Sequence, residues 1–144
     1  MTGNVARAPD GIISLRSSLP FKKTVSNLSI ALQRRGMAIY ARADHSANAI
    51  AAGLELRPTQ LFVFGFPEVE SPIIKHCPAL GLDLPRKIAV WEDEADRIWI
   101  SYNDPLWLAR RYSAGPDVLP LLRAMATSLT GIALEAGGRV VRAG

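Results

Sequence analysis

A run of four large apolar residues, LFVF at positions 61–64, is the feature that most constrains the fold of this chain. The run lies between Pro58 and Gly65, so it is too short for a buried helix and has the length of a strand. A strand that is apolar toward both sides is expected to be covered on both faces of its sheet. The sequence therefore predicts a β-sheet with residues 59–66 as a central strand and helices packed around it.

Three further segments have the periodicity of amphipathic helices, with apolar residues three or four positions apart. Their apolar positions are Phe21, Val25, Leu28 and Leu32; Ala47, Ile50, Ala51 and Leu54; and Val118, Leu122, Met125, Leu129 and Ile132. Asp44 precedes the second segment and is a suitable N-cap. A fourth helix is expected to begin at Ser71, because Pro72 then occupies the first helical position, where proline is tolerated. We expect each helix to bury its apolar face.

The remaining segments are strand-like and join the helices into one fold. They are 11–18, 37–43, 84–91 and 97–102. The last two are expected to form a hairpin around the acidic turn at 92–96, and Asn103 or Asp104 to cap a short helix that begins at Pro105. The order β-α-β-α-β-α-β-β-α-α predicts an α+β fold, with a single mixed sheet of about five strands covered by helices.

Length and composition fit one globular domain. The chain has 144 residues, of which 49% are hydrophobic and 21% charged. We expect a disordered N-terminal segment at 1–10, a single domain at 11–136 and a frayed tail at 137–144. Cys77 is the only cysteine, which excludes an intrachain disulfide and a four-cysteine metal centre within one chain. Because no apolar run approaches the ~18–20 residues of a membrane span and residues 1–10 lack the apolar core of a secretion signal, we expect a cytoplasmic protein.

The basic charge of the chain is dispersed. Lysine and arginine total 17 against 13 acidic residues, which gives a net charge of +4. The basic residues form separated pairs at 22–23, 34–35, 86–87 and 110–111. No stripe of basic and aromatic residues resembles a surface for single-stranded nucleic acid. A solvated, arginine-rich surface is therefore favoured over nucleic-acid binding.

Several ordered segments resemble the domain-of-unknown-function family 302, DUF302. They are RADH at 42–45, AGLELRPT at 52–59, LFVFG at 61–65, LDLP at 82–85, VWED at 90–93 and WISYNDP at 99–105, followed by Arg111. The resemblance covers residues 12–134.

Two positions depart from the family pattern, since Asp96 stands where glycine is frequent in the hairpin turn and Trp107 where tyrosine is more usual. Aspartate tolerates left-handed backbone, so the turn is expected to survive. The resemblance implies an α+β fold and a homodimer, and it brings no established activity.

Asp44 and His45 are the first candidate site. If Asp44 caps a helix, His45 lies in its first turn, where the helix dipole opposes protonation of the imidazole. A neutral imidazole can act as a base, a hydrogen-bond donor or a metal ligand. A helix cap followed by a loop-stabilising histidine explains the same pair, so both interpretations stay open.

Two further groups of polar residues are candidates for ligand binding. Ser101, Asn103 and Asp104 lie where a strand ends and a helix begins, and polar groups that converge there can receive an anion or a polar ligand. Turn formation and helix capping explain them equally. Glu55 and Arg57 are close in sequence and can form an ion pair, for which a structural role is favoured.

The sequence lacks the motifs of common enzyme classes. It has no phosphate-binding glycine loop, no serine-nucleophile motif and no paired-histidine metal motif. With only His45 and His76 present, a three-histidine metal site cannot form within one chain, and we assign no metal. The cofactor is left unknown, because a histidine as axial ligand to a haem stays open without any residue pattern that favours it.

Three functional hypotheses follow. The first is a ligand-binding or sensing module that acts as a homodimer and takes a small molecule in a pocket near Asp44, His45 and the end of the strand at 97–102. The second is a structural or interaction protein without a ligand, paired through the apolar seam at 118–132 or through a sheet edge. The third is an enzyme with His45 as general base, partnered by Asp44 or Glu55. The first is favoured, and catalysis is the least favoured.

Overall fold

The computed structural model describes residues 5–8 and 10–139 of the chain. The strands are β1 Val5–Ala8, β2 Ile12–Arg16, β3 Ala38–Asp44, β4 Thr59–Gly65, β5 Arg86–Glu92 and β6 Ile98–Asn103. The α-helices of this part are α1 Phe21–Arg34, α2 His45–Ala51, α3 Pro67–His76, α4 Pro105–Arg111 and α5 Leu119–Ala136, and a 3-10 helix spans Pro78–Leu82. The predicted α+β class is confirmed. Within the same part of the chain, no helix combines the length and hydrophobicity of a bilayer-crossing segment.

The strands form one sheet in the order β1-β2-β6-β5-β4-β3, and every neighbouring pair is antiparallel. The expectation of a mixed sheet is therefore wrong. Helix α1 does connect two strands that run in the same direction, β2 and β3, but three other strands lie between them. From β3 the chain returns across the sheet through β4, β5 and β6, each of which pairs antiparallel with the strand before it.

The hydrophobic core lies between one face of the sheet and helices α1, α3, α4 and α5. The predicted apolar faces of α1 and α5 are confirmed, since Leu28, Leu32, Leu122 and Ile132 have no exposed surface. The sheet contributes fully buried residues from its inner strands, namely Phe62, Phe64, Ile88, Val90 and Ile100. Because the seam at 118–132 is packed inside the chain, it is not available as a dimer surface.

The N-terminal residues differ from the prediction. Residues 5–8 form β1, which pairs with β2 from Val5 opposite Leu15 to Ala8 opposite Ile12. The expected disordered segment at 1–10 is therefore wrong for this stretch, and residues 1–4 and 9 lie outside the described residues. A four-residue strand carries little periodicity of its own, so its pairing with β2 decides its structure.

The beginning of the expected C-terminal tail is held in place. Gly137 O accepts hydrogen bonds from the backbone N–H of Ser18 at 3.0 Å and from its hydroxyl at 2.7 Å. Arg139 N also donates to Leu134 O at 2.8 Å, which closes the end of α5. The prediction of fraying is wrong for residues 137–139, and residues 140–144 lie outside the described residues.

Two helices differ from the prediction, α2 in its burial and α3 in its first residue. Helix α2 buries none of its residues, and Ile50 and Leu54 are 70% and 66% exposed, so its predicted buried face is wrong. This short helix follows the edge strand β3, where few neighbours are available to cover it. Helix α3 begins at Pro67 and contains Pro72, the predicted first helical residue, in its interior, so it starts five residues earlier than predicted.

The second face of the sheet, which we call the open face, carries side chains outside the helix-packed core. On its four inner strands, it consists of Ile12, Ser14, Arg16, Thr59, Leu61, Val63, Lys87, Ala89, Trp91, Trp99, Ser101 and Asn103. Its large apolar side chains are partly exposed and belong to no part of the hydrophobic core. The expectation that β4 is covered on both faces is therefore wrong, because Leu61 and Val63 lie on the open face.

Candidate functional site

Asp44 is the N-cap of α2, as the sequence predicts. Its Oδ1 accepts hydrogen bonds from the backbone N–H of Ala47 at 2.9 Å and from the Ser46 hydroxyl at 2.8 Å. The bond from Ala47, followed by the bond from Ser46, holds the pKa of the Asp44 carboxyl below its ordinary value. The carboxylate is thus ionised and occupied by the start of its own helix.

His45 is the first residue of α2 and is exposed to solvent. It lines neither the groove nor the cavity described below. The residues that the structure describes also contain no cluster of three or more histidine, cysteine, aspartate or glutamate side chains that could hold a metal ion. A general base needs a substrate held within hydrogen-bonding reach, so the geometry gives no support to His45 as a base.

Arg57 closes the hairpin between β5 and β6. Its Nη1 donates to Glu92 Oε2 at 2.8 Å and to Asp96 Oδ1 at 2.7 Å. The bond to Asp96 is the main cause of the raised pKa of Arg57. The expected ion pair with Glu55 is not formed, because Glu55 is exposed and takes no part in this cluster. Asp96 has φ of 61°, which confirms that the aspartate adopts the left-handed turn conformation.

Ser101 lies at the centre of the open face. Its Oγ is 2.7 Å from Ser14 Oγ and accepts a hydrogen bond from the indole Nε1 of Trp91 at 2.8 Å. Trp91 in turn stacks on Trp99, with ring centroids 6.4 Å apart. Tyr102 points into the core and is 4% exposed, which confirms that it and Ser101 lie on opposite faces. The serine hydroxyl is therefore held by its neighbours on the open face.

Asp104 caps α4 and is buried. Its Oδ1 accepts a hydrogen bond from Leu106 N at 3.0 Å, and its own N–H donates to Gly11 O at 2.7 Å. Of the two interpretations that the sequence left open, the capping role is the one that the contacts support. Asn103, one residue earlier, lies on the open face instead.

The candidate residues do not converge on a single pocket. Asp44 lies at the end of the edge strand β3, whereas Asn103 lies at the end of β6, three strands away. At ~4.8 Å per strand, these positions are separated by ~14 Å across the sheet. The expected pocket shared by Asp44, His45 and the end of β6 is therefore wrong.

A groove of about 250 Å³ lies on the open face. Its apolar walls are Ile12, Leu61 and Ala89, and its polar side chains are Lys87, Ser101 and Asn103. Lys87 has no acidic side chain within ion-pair distance in the described part of the chain. The groove thus combines an apolar floor with one uncompensated ammonium group.

Sequence reasoning found Ser101 and Asn103 but missed Lys87 and Ala89. The missed signal is alternation along β5, where Lys87 and Ala89 face one way and the buried Ile88 and Val90 face the other. Alternation assigns these residues to a face, but it does not say that helices leave that face uncovered.

Comparison with known proteins identifies the family. A family model described as "Domain of unknown function DUF302" matches residues 13–134. This chain belongs to the DUF302 family. The resemblance seen in the sequence segments is therefore confirmed.

Curated relatives of this DUF302 chain carry the name of an ion channel. The protein named fluoride-specific ion channel FluC 1 of Brucella suis is 34% identical over 128 residues, which cover 89% of this chain and 50% of that protein. FluC 1 of Brucella abortus has the same identity over 128 residues, which cover 47% of its length. The chain thus spans about half the length of the curated relatives it matches.

A solved structure shares the fold. The crystal structure titled as an uncharacterized conserved protein DUF302 from Bacillus stearothermophilus superposes with a TM-score of 0.78. The match covers 89% of this chain and 99% of that chain, at 15% sequence identity. At this identity the similarity shows the fold alone.

Proposed function

We propose that this DUF302 domain is a ligand-binding module that acts as a homodimer, with the open faces of two sheets packed together over the groove. The observation that carries the proposal is that the large apolar side chains of the open face lie outside the core of the chain. Sheets bury such faces against a second layer, and contiguous exposed apolar patches are typical of interaction sites. A second copy of the chain supplies such a layer, because its own open face has the same shape and polarity.

The size of the open face suits a homodimer. Six strands about 4.8 Å apart, each about 20 Å long, give a footprint of roughly 480 Å² per copy. A standard interface buries about 800 Å² per partner and a small biological one about 500 Å², so this footprint is at the lower end of the range. Trp91 and Trp99 supply stacked aromatic side chains at this surface, and tryptophan is enriched among residues that dominate binding energy.

The groove supports a ligand with an apolar body and an acidic group. Pairing of two open faces would remove water from Lys87, and a desolvated cation without a counter-ion is costly. An acidic group on the ligand supplies that counter-ion, while Ile12, Leu61 and Ala89 contact the body. The side-chain amide of Asn103 adds a second polar contact. The ligand class we propose is a small organic acid.

We propose sensing as the role of the module. In proteins named as fluoride-specific ion channels, the region similar to this chain makes up about half of the length. A binding module within a longer chain is suited to report whether its ligand is bound. We propose the same role for the present chain, which would report whether its ligand is bound.

A second surface offers an alternative way to form a dimer without a ligand. Tyr40, Ile50, Leu54 and Leu56 are between 50% and 70% exposed and lie on or after the edge strand β3. An unpaired sheet edge can add a strand from another chain. This edge surface corresponds to the interaction-protein hypothesis.

Light scattering coupled to size-exclusion chromatography shows whether the open face or the edge surface forms the dimer. Val63→Glu introduces a charge into the open face, and Ile50→Glu introduces the same charge at the edge surface as the matched control. We expect wild type and Ile50→Glu to be dimers and Val63→Glu to be a folded monomer by circular dichroism. A monomeric wild type, or a dimer that only Ile50→Glu dissociates, contradicts the proposal.

Calorimetric titration with octanoate tests the ligand class, with octanol as the neutral control of equal chain length. We expect saturable binding of octanoate, and a roughly tenfold or larger loss of affinity in Lys87→Ala because a charge-assisted contact is removed. Equal binding of octanol, or unchanged affinity in Lys87→Ala, contradicts an acid-binding groove.

A further inference from the structure

Arg86 is buried in the core with incomplete hydrogen bonding. It is 5% exposed, and its Nε donates to Glu70 Oε1 at 2.8 Å. Its Nη2 lies 2.7 Å from the same oxygen, but the geometry is not that of a hydrogen bond, and Nη2 has no hydrogen-bond partner among the described residues. The other oxygen of Glu70 accepts from the backbone N–H of Phe66 at 2.6 Å. The guanidinium therefore keeps unused donors inside the protein, where polar groups are normally paired.

Arg86 lines a cavity of about 270 Å³ on the helix-covered side of the sheet. The apolar walls are Met37, Phe66, Val69 and Met125, and the other polar side chains are Arg35 and Ser128. No aspartate or glutamate belongs to this lining. The cavity is separate from the groove, which lies on the open face and shares none of these residues.

The two arginines of the cavity lining pair with carboxylates that lie outside the lining. Arg35 Nη1 lies 3.1 Å from Glu135 Oε2, and Arg34 lies 3.8 Å from the same oxygen. Glu70 is the partner of Arg86. Each arginine of the lining thus has one carboxylate partner, and Arg34, which is 67% exposed, lies outside the lining.

We propose that this cavity binds a small carboxylate with a compact apolar body, held by Arg86 and Arg35. A guanidinium presents coplanar N–H donors that match the two oxygens of a carboxylate. The acid would accept a hydrogen bond from Nη2 of Arg86, which has no hydrogen-bond partner among the described residues, while Met37, Phe66 and Met125 contact its apolar part. The site lies on the opposite side of the sheet from the groove, so it does not depend on the proposed homodimer.

Titration with benzoate tests the cavity, with benzyl alcohol as the neutral control of similar shape. Ala124 is exposed and lines the cavity, so Ala124→Leu narrows it without altering the Arg86–Glu70 pair. Thr127→Leu is the matched control, because Thr127 is exposed on the same helix and does not line the cavity. We expect saturable benzoate binding to wild type, at least tenfold weaker binding to Ala124→Leu and unchanged binding to Thr127→Leu.

A second pair of variants tests the charge requirement. Arg35→Gln removes a cation from the cavity lining, whereas Arg34→Gln removes its neighbour, which is 67% exposed and lies outside the lining. Benzoate affinity should fall only in Arg35→Gln. The proposal is overturned if benzyl alcohol binds as tightly as benzoate, or if the wild type shows no saturable binding of benzoate. It is also overturned if a cavity variant and its matched control lose the same amount of benzoate affinity.

The two proposed sites can fail independently. Lys87→Ala should leave benzoate affinity unchanged, and Ala124→Leu should leave octanoate affinity unchanged. Loss of benzoate binding in Lys87→Ala would assign both acids to the groove and overturn the cavity site.

Discussion

The carboxylate of Asp93 accepts a hydrogen bond from the indole Nε1 of Trp99 at 2.9 Å. The same carboxylate accepts from the backbone N–H groups of Ala95 and Arg97 and from Arg97 Nε. The bond from Trp99 contributes most to holding the pKa of Asp93 well below its ordinary value, and burial acts in the opposite direction. One ionised side chain thus closes the turn between β5 and β6 and anchors a tryptophan of the open face.

The first prediction concerns acid stability. A depressed pKa means that the folded state binds fewer protons than the unfolded state, so the contribution of Asp93 is complete above its ordinary pKa of 3.8 and is lost as the pH falls below it. We expect the Tm of the wild type to fall between about pH 5 and pH 2, and Asp93→Asn to reduce this fall. Circular-dichroism melts measure the effect. Asp117→Asn, at an exposed loop position, is the control and should keep the wild-type slope.

The second prediction concerns the buried pair of Glu70 and Arg86, which are 6% and 5% exposed. Glu70→Ala leaves the guanidinium buried without its carboxylate and should lower the free energy of unfolding by about 3–5 kcal/mol. Because the cost comes from the orphaned charge, Glu70→Ala with Arg86→Met should recover part of the loss. Urea denaturation measures the free energy of unfolding of the single and the double variant. A double variant less stable than Glu70→Ala alone would contradict this explanation.

The helices of the core could be predicted from the sequence because their signal is local. Spacings of three and four along α1 and α5 identified residues that are now found buried, such as Leu28 and Leu122. The same pattern was misleading for α2, where Ile50 is 70% exposed. Periodicity shows which residues share a helix face, but burial also requires a neighbouring element, and α2 follows an edge strand.

Pairing between distant strands was harder to predict. The mixed sheet was expected from the β-α-β order at the N-terminus, but strand order depends on contacts far apart in sequence, such as that of Ile13 with Tyr102. The candidate site failed for the same reason, since Asp44 and Asn103 end different strands. The buried partner of Arg86 carried no sequence signal, because Glu70 is one of two acidic residues in the first turn of α3 and nothing in the sequence distinguishes it from Glu68.

The third prediction separates capping from ligand binding at Asp104. Its Oδ1 accepts from Leu106 N at 3.0 Å, so Asp104→Ala should lower the free energy of unfolding by about 1 kcal/mol. Asp104→Asn retains the capping oxygen and should cost only a few tenths of a kcal/mol. Urea denaturation measures stability, and titration with octanoate measures the groove. If Asp104→Asn keeps its stability and loses octanoate binding, Asp104 is a ligand contact.

The fourth prediction concerns His45, whose position in the first turn of α2 made it the leading candidate in the sequence. The side chain is exposed and belongs neither to the groove nor to the cavity. Substitutions at such surface positions usually change stability by less than about 0.5 kcal/mol, and we expect the same of His45→Ala. Octanoate and benzoate titrations of His45→Ala should also match those of the wild type. The carboxylate of Asp44 is bonded to Ala47 and Ser46 as the cap of α2. A tenfold loss of binding of either acid in His45→Ala would show that this end of the sheet contributes to a ligand site after all.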